Sequence, residues 1–219
     1  MRKVSPGARD GWPPPKYPDD QTAARILKEW LTSTSGALEA IGFDFRGADL
    51  SHGEIREAIL VGASLQNVNL SESSLYRSSL EAADLTGADL TGADLVRVNL
   101  DDAVLRSARL DGADMTKASL YGVDASEASF RGTRIMGASF LKVDLRGADL
   151  SGAILSENSF RVKLDENTIV SGLNGTIFGP ADLFGVNSHH ALQGDDLQHW
   201  INDRGGQVEV LRPRGPRST

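Results

Sequence analysis

Residues Ala82 to Leu95 read AADLTGADLTGADL, in which Ala-Asp-Leu returns every five residues. The leucines extend in both directions as one series from Phe45 to Phe160. Its 24 positions hold 16 Leu, 4 Phe, 2 Ile, Met115 and Ala125, with no insertion. Two residues before each of these, 14 of the 24 positions are Ala, and four more are Val. Asp is the commonest residue between them, at Asp44, Asp49, Asp84, Asp89, Asp94, Asp114, Asp124, Asp144 and Asp149. Gly often stands two residues after the series, as at Gly62, Gly87, Gly92, Gly112 and Gly147.

A period of five fits neither a 3.6-residue helix nor a two-residue strand, and it excludes a heptad coiled coil. It fits a chain that turns a corner every five residues, so that four pentapeptides close one square circuit. The large residue and the small residue two before it then both point inward, because a corner leaves no room for a second large side chain. Asp, Asn or Ser between them hydrogen-bonds nearby backbone, and Gly supplies the permissive dihedrals of the corner. Twenty-four pentapeptides make six circuits. At one strand spacing per circuit, the rod is about 29 Å long. Ala125 leaves a gap in one interior column, and Phe130 and Phe140 supply extra volume nearby.

These residues resemble the pentapeptide-repeat family, whose pattern is A(D/N)LXX. The resemblance covers Phe43 to Val162 and implies an all-β solenoid, a right-handed quadrilateral β-helix with inward Leu and Phe stacked in ladders. The chain then divides into an N-terminal Pro-rich arm and capping helix (1–42), the repeat rod (43–162) and a C-terminal module with a basic tail (163–219). Exposed solenoid ends need caps. Asp20–Leu31 places Ala23, Ile26, Leu27 and Trp30 at helical spacing and predicts the first cap. Ahead of it, Trp12-Pro13-Pro14-Pro15 reads as an extended arm. After Val162 the register breaks. Ile177, Phe178, Leu183 and Phe184 are expected to cover the last circuit, and Asp195–Arg204 reads as a short helix with Asp195 as its cap. Gly205-Gly206 stops that helix, and Gln207–Leu211 alternates like a strand.

The composition excludes several function classes. Of the 219 residues 40% are hydrophobic and 24% charged, which is enough to fold. There is no Cys, so disulfides, thiolate metal sites and Cys nucleophiles are out. A formal net charge of −7 argues against direct nucleic-acid binding. No apolar run is long enough to span a membrane, and the basic N-terminus lacks the apolar stretch of a secretory signal, so a cytoplasmic protein is expected. His52, His189, His190 and His199 lack metal-ligand spacing, and no nucleophile elbow or phosphate-binding loop occurs. No enzyme, cofactor or metal is expected.

Function is therefore sought on the outside of the rod. The repeat region carries 18 acids and 12 bases, with the acid excess on the first two faces. The family it resembles includes bacterial proteins that bind DNA gyrase and protect it from quinolones or peptide inhibitors. The resemblance implies that an acidic rod imitates duplex DNA, with Asp44, Asp49, Asp84, Asp89, Asp124, Asp144 and Asp149 as the candidate interaction surface. Their other reading is turn hydrogen bonding. A duplex of this length would carry on the order of 17 charges, about three times the rod's net −6. On the fourth face Ile59, Val61, Tyr121, Leu141 and Val162 are expected to point outward as an apolar protein interface or a landing site for a terminal segment. A gyrase partner, a generic protein scaffold and a homodimer all stay open.

Overall fold

The computed structural model describes residues 12–34, 36–185 and 188–211; the basic tail from Arg212 lies outside them. The repeat sets the backbone. Single parallel bridges join each Asp-position residue to the one 20 further on, from Glu39↔Ile59 to Ser129↔Asp149 and Asp149↔Ile169. Each circuit therefore holds four pentapeptides, and the structure is β-helical. A bond from Leu85 N–H to the Val104 carbonyl (2.7 Å) links successive circuits, and one from Ala88 N–H to the Leu85 carbonyl (2.9 Å) closes the corner between them.

All 24 residues of the series are buried, none more than 2% exposed. Where the small inward position is polar, backbone satisfies it: Ser78 Oγ donates to the Ile55 carbonyl (3.0 Å), and Thr133 Oγ1 to that of Leu110 (2.9 Å). Near Ala125, Phe130 meets Phe140 edge-on at 6.4 Å, and Phe140 stacks on Phe160 at 6.3 Å.

The corner has a stricter rule than its glycines suggest. At every position two after the inward residue, from Gly42 to Glu157, φ is positive; 11 of the 24 are Gly and 13 are not. His52, Arg97 and Glu127 adopt the left-handed conformation that favours glycine.

The N-terminal expectation holds in its helix. Helix α1 (Gln21–Thr32) has Asp20 as N-cap, its carboxylate accepting from Ala23 N–H at 2.8 Å. Leu27 and Trp30 belong to the same apolar cluster as the coil. Ahead of α1 the chain runs along the first circuit: Lys16 pairs antiparallel with Asp49, and Trp12 Nε1 donates to the Ser51 carbonyl (2.9 Å).

At the other end the change of register at Val162 does not end the pairing. Strands β1 (Arg134–Met136) and β2 (Ser139–Asp144) lie parallel to β3 (Ile154–Asp165). Leu141 faces Arg161 but Val143 faces Val162, so Lys142 is left without a partner across the ladder. That one-residue slip turns Val162 inward, 1% exposed, which corrects its outward placement. Ile169 opposite Asp149 restores the 20-residue spacing. Strands β4 (Asn174–Phe178) and β5 (Ala181–Phe184) add to β3 in parallel, continuing the coil rather than covering it. Ile177 is inward, whereas Phe178 is exposed. Strand β6 (His189–Leu192) turns back antiparallel on β5. Helix α2 (Asp195–Asn202) buries Leu197, Trp200 and Ile201, and β7 (Gln207–Val210) pairs with β4. The N-cap of α2 is Gly194; Asp195 lies in the first turn instead.

Candidate functional site

The Asp between the small and large inward residues is placed where its carboxylate reaches the amide two residues on. Asp49 accepts from Ser51 N–H at 3.0 Å, Asp89 from Thr91 N–H at 3.0 Å, and Asp149 from Ser151 N–H at 2.9 Å. Asp44, Asp84, Asp124 and Asp144 make the same bond to residues 46, 86, 126 and 146. All seven candidate aspartates therefore hold corners.

Five of the seven are also matched by a cation. Asp44 pairs with Arg46 (2.5 Å), Asp89 with Arg109 (3.3 Å), Asp124 with Arg106 (2.6 Å) and Asp149 with Arg131. Asp144, nearly buried, is held by Arg146 at 2.7 Å and Lys163 at 3.4 Å. The side-chain bond from Arg46 keeps the Asp44 carboxyl below its usual range. Burial alone raises Asp144 and Asp149. For Asp144 the side-chain and amide bonds of Arg146 outweigh it, and for Asp149 those of Ser151, joined by Arg131, do the same; both end lowered. Asp49 and Asp84 make no ion pair with a described residue, although the charge of Arg106 acts on Asp84, which also accepts from Gln66.

Acidic groups that make no ion pair with a described residue gather elsewhere. Glu81, Asp101 and Asp102 occupy neighbouring levels of the fourth side: Gly62 N–H bonds the Glu81 carbonyl, Ala82 N–H that of Asp101, and Asp102 N–H that of Tyr121. Glu81 and Asp102 are exposed, and the Asp101 carboxylate accepts from Ser119 Oγ (2.6 Å) and Tyr121 N–H (2.9 Å). Summing acids by face missed this cluster; its signal is acid at the first and second positions after the inward residue on consecutive circuits.

The apolar residues of that side do not form one stripe. Ile59 and Val61 are half-buried and share their end with Ile41, which is 62% exposed. Tyr121, 39% exposed, and half-buried Leu141 lie at the other end, with Glu81 and Asp101 between the two groups. Lys142, the residue displaced by the register slip, sits over the Tyr121 ring at 4.7 Å and donates to its hydroxyl.

Two of the histidines face a carboxylate. His52 Nδ1 lies 3.1 Å from Glu72, and His189 lies 3.5 Å from Asp182 with its ring 4.7 Å from that of Phe184. Among the described residues no three His, Asp or Glu side chains come together as metal ligands would, and no helix is long and apolar enough to cross a membrane.

A packed interior, corners held by Asp and varied outward side chains define a β-solenoid. The pentapeptide-repeat profile matches at residues 44–87, 58–102, 83–122 and 118–157, just over half of the chain. The chain belongs to the pentapeptide repeat family. Family members of this kind are generally non-enzymatic structural or binding proteins. A trypsin-treated form of QnrB1, described as a plasmid-mediated fluoroquinolone resistance protein, superposes with a TM-score of 0.56 at 16% identity. That match covers 64% of this chain and 78% of QnrB1, and it supports the fold. HetL of the cyanobacterium Nostoc sp. strain PCC 7120, involved in heterocyst differentiation regulation, is 27% identical over 71% of this chain and 77% of its own, with a TM-score of 0.38. Rfr23 of the cyanobacterium Cyanothece 51142 is 22% identical over 59% of this chain and 89% of its own, with a TM-score of 0.37. No curated protein matches in sequence.

Proposed function

We propose that this chain is a non-enzymatic, cytoplasmic binding protein that meets a protein partner along the outside of its rod, and that DNA gyrase is that partner. In this reading the coil is right-handed, with about six circuits over 43–162. Segment 1–42, through α1, and the module 163–219 close its two ends. The observation that carries the reading is the acidic cluster of Glu81, Asp101 and Asp102, charges that make no ion pair with a described residue. Asp49 and Asp84 add to it as the two of the seven candidate aspartates that make no ion pair with a described residue. The fold shared with QnrB1, a fluoroquinolone resistance protein, is the reason to choose a type II topoisomerase.

The test is gyrase supercoiling with and without a quinolone. The protein should alter supercoiling or restore it in the presence of the drug, and Glu81→Gln/Asp101→Asn/Asp102→Asn should remove the effect while leaving the fold intact. No effect at large molar excess over gyrase discards this partner. The second reading, a protein scaffold with no topoisomerase role, is favoured by the pairing of Asp44, Asp89, Asp124, Asp144 and Asp149 with basic side chains, since paired charges imitate DNA poorly. Ile59, Val61, Tyr121 and Leu141 are its contact residues, at two separate spots. A homodimer through the C-terminal module belongs to the same reading, and light scattering with and without residues 163–219 checks it.

A further inference from the structure

Four of the 24 corner positions with positive φ carry a cation, and three of those four share one column: Arg77, Arg97 and Lys117. Backbone bonds fix them on consecutive levels. Arg77 N–H donates to the Val96 carbonyl (3.0 Å), Arg97 N–H to that of Thr116 (2.9 Å) and Lys117 N–H to that of Met136 (2.8 Å). Their Cα atoms thus climb one edge of the rod at strand spacing, about 4.8 Å per level. All three side chains are exposed, and none makes an ion pair with a described residue.

The column carries two costs. Each residue takes a conformation suited to glycine, with φ of 58°, 60° and 61°, although Gly fills 11 of the equivalent positions. Like charges stacked at this spacing also repel. The fold readily avoids such repulsion elsewhere by placing opposite charges 20 residues apart, as in Asp89–Arg109 at 3.3 Å and Asp114–Arg134 at 3.6 Å. Glu57 stands one level before Arg77 in the same column but makes no ion pair with it, and no acid stands next to Arg97 or Lys117 in that column. The flanking positions are Ser79, Asn99 and Ser119 on one side. On the other are half-buried Tyr76, Val96, Thr116 and Met136, an apolar column beside the basic one. The nearby carboxylates are already used: Asp94 accepts from Val96 N–H and Ser74 Oγ, and Asp114 from Thr116 N–H while pairing with Arg134.

We infer that this edge is a second interaction surface, which takes an extended acidic segment of a partner protein whose carboxylates meet Arg77, Arg97 and Lys117 and whose apolar side chains lie on Tyr76, Val96 and Met136. A protein segment fits better than a nucleic acid. The basic edge is one column wide on a molecule of net charge −7, so a duplex would meet repulsion on either side of it. The surface is separate from the acidic cluster and does not depend on gyrase being the partner there.

The experiment is fluorescence anisotropy with a fluorescein-labelled peptide of alternating Glu and Leu. The variant Arg77→Gly/Arg97→Gly/Lys117→Gly installs the residue that the corner prefers, so its thermal midpoint should equal or exceed that of the unaltered chain. The Glu triple variant is also accommodated, because Glu57, Glu72, Glu127 and Glu157 hold the same conformation. The unaltered protein should bind the peptide more weakly as salt rises. The Gly variant should lose about tenfold in affinity and the Glu variant more. The altered acidic cluster should bind the peptide as the unaltered protein does, whatever its behaviour with gyrase. Equal affinity in all variants, no binding at millimolar peptide, or tighter binding of a short DNA duplex through the same cations overturns the inference.

Discussion

At the scale of single residues, the repeat divides its work between an inward pair that packs and an outward trio that turns the corner. Glycine's role in that trio depends on what its missing Cβ would meet. A Cβ at Gly62 would have no heavy atom within 4 Å, and Ala82 already holds the same conformation with φ 54°. Gly62→Ala should therefore cost only backbone preference, about 1 kcal/mol. Gly175 takes the inward place next to Leu155, where a Cβ would lie 1.9 Å from the Leu155 carbonyl oxygen. Gly175→Ala should cost more than about 3 kcal/mol, since backbone has to move. Urea midpoints of the two variants measure the difference. The turn carboxylates make a second prediction at this scale. Asp44, Asp84, Asp124, Asp144, Asp149 and Asp165 are all lowered in the folded chain. A lowered carboxyl means that the unfolded chain binds more protons in acid. Their stabilisation is therefore complete above the unfolded value, near pH 4, and is lost as pH falls through the folded values. The thermal midpoint should be nearly flat from about pH 8 to pH 5 and drop steeply below about pH 4. Asp144→Asn should flatten that drop.

At the scale of elements, sequence reading succeeded where one physical constraint repeats. Burial of Phe45 through Phe160 was legible because every circuit imposes the same inward geometry 20 residues later. Helix α1 was legible because Asp20 and the spacing of Ala23, Leu27 and Trp30 agree on one element. Past Val162 that redundancy ends. The slip at Lys142, the pairing of Ile169 with Asp149 and the addition of β4 and β5 to β3 are set by backbone hydrogen bonding, which the five-residue count does not encode. Ile177 and Ala181 keep inward places, although the Ala-Asp-Leu at 181–183 stands outside the five-residue register of Phe45 to Phe160. The candidate site divided along the same line. That Asp turns corners could be read from its position, but its neutralisation by arginines 18 or 20 residues away, as at Arg131 and Arg109, needs the circuits laid side by side. The basic edge of Arg77, Arg97 and Lys117 was hidden likewise, because summing charge by face averages over columns.

At the scale of the whole molecule, the 20-residue circuit is the unit that can be added or removed. Residues one circuit apart share a face, a depth and a bonding partner pattern, so stability is a sum of circuits and their contacts. Deleting residues 86–105 joins Leu85 to Arg106. It leaves every later residue in an equivalent place, one strand spacing closer to the N-terminal end. The shortened protein should fold with the same β-type circular dichroism and unfold in one transition at a lower midpoint. Deleting residues 86–88 removes less chain but does more damage. It moves Leu90, Leu95 and Leu100 off the inward position and breaks the alignment of Asp89 with Asn69 and of Val104 with Asp84. That variant should aggregate or lose its cooperative transition. The slip at Lys142 does not contradict this, because it occurs where β2 and β3 are continuous strands and Ile169 restores the spacing within half a circuit. The longer deletion also removes Arg97 and brings Arg77 and Lys117 to adjacent levels. Its acidic-peptide affinity should fall between those of the unaltered chain and the Gly triple variant, which ties the binding edge to the same circuit arithmetic that builds the rod.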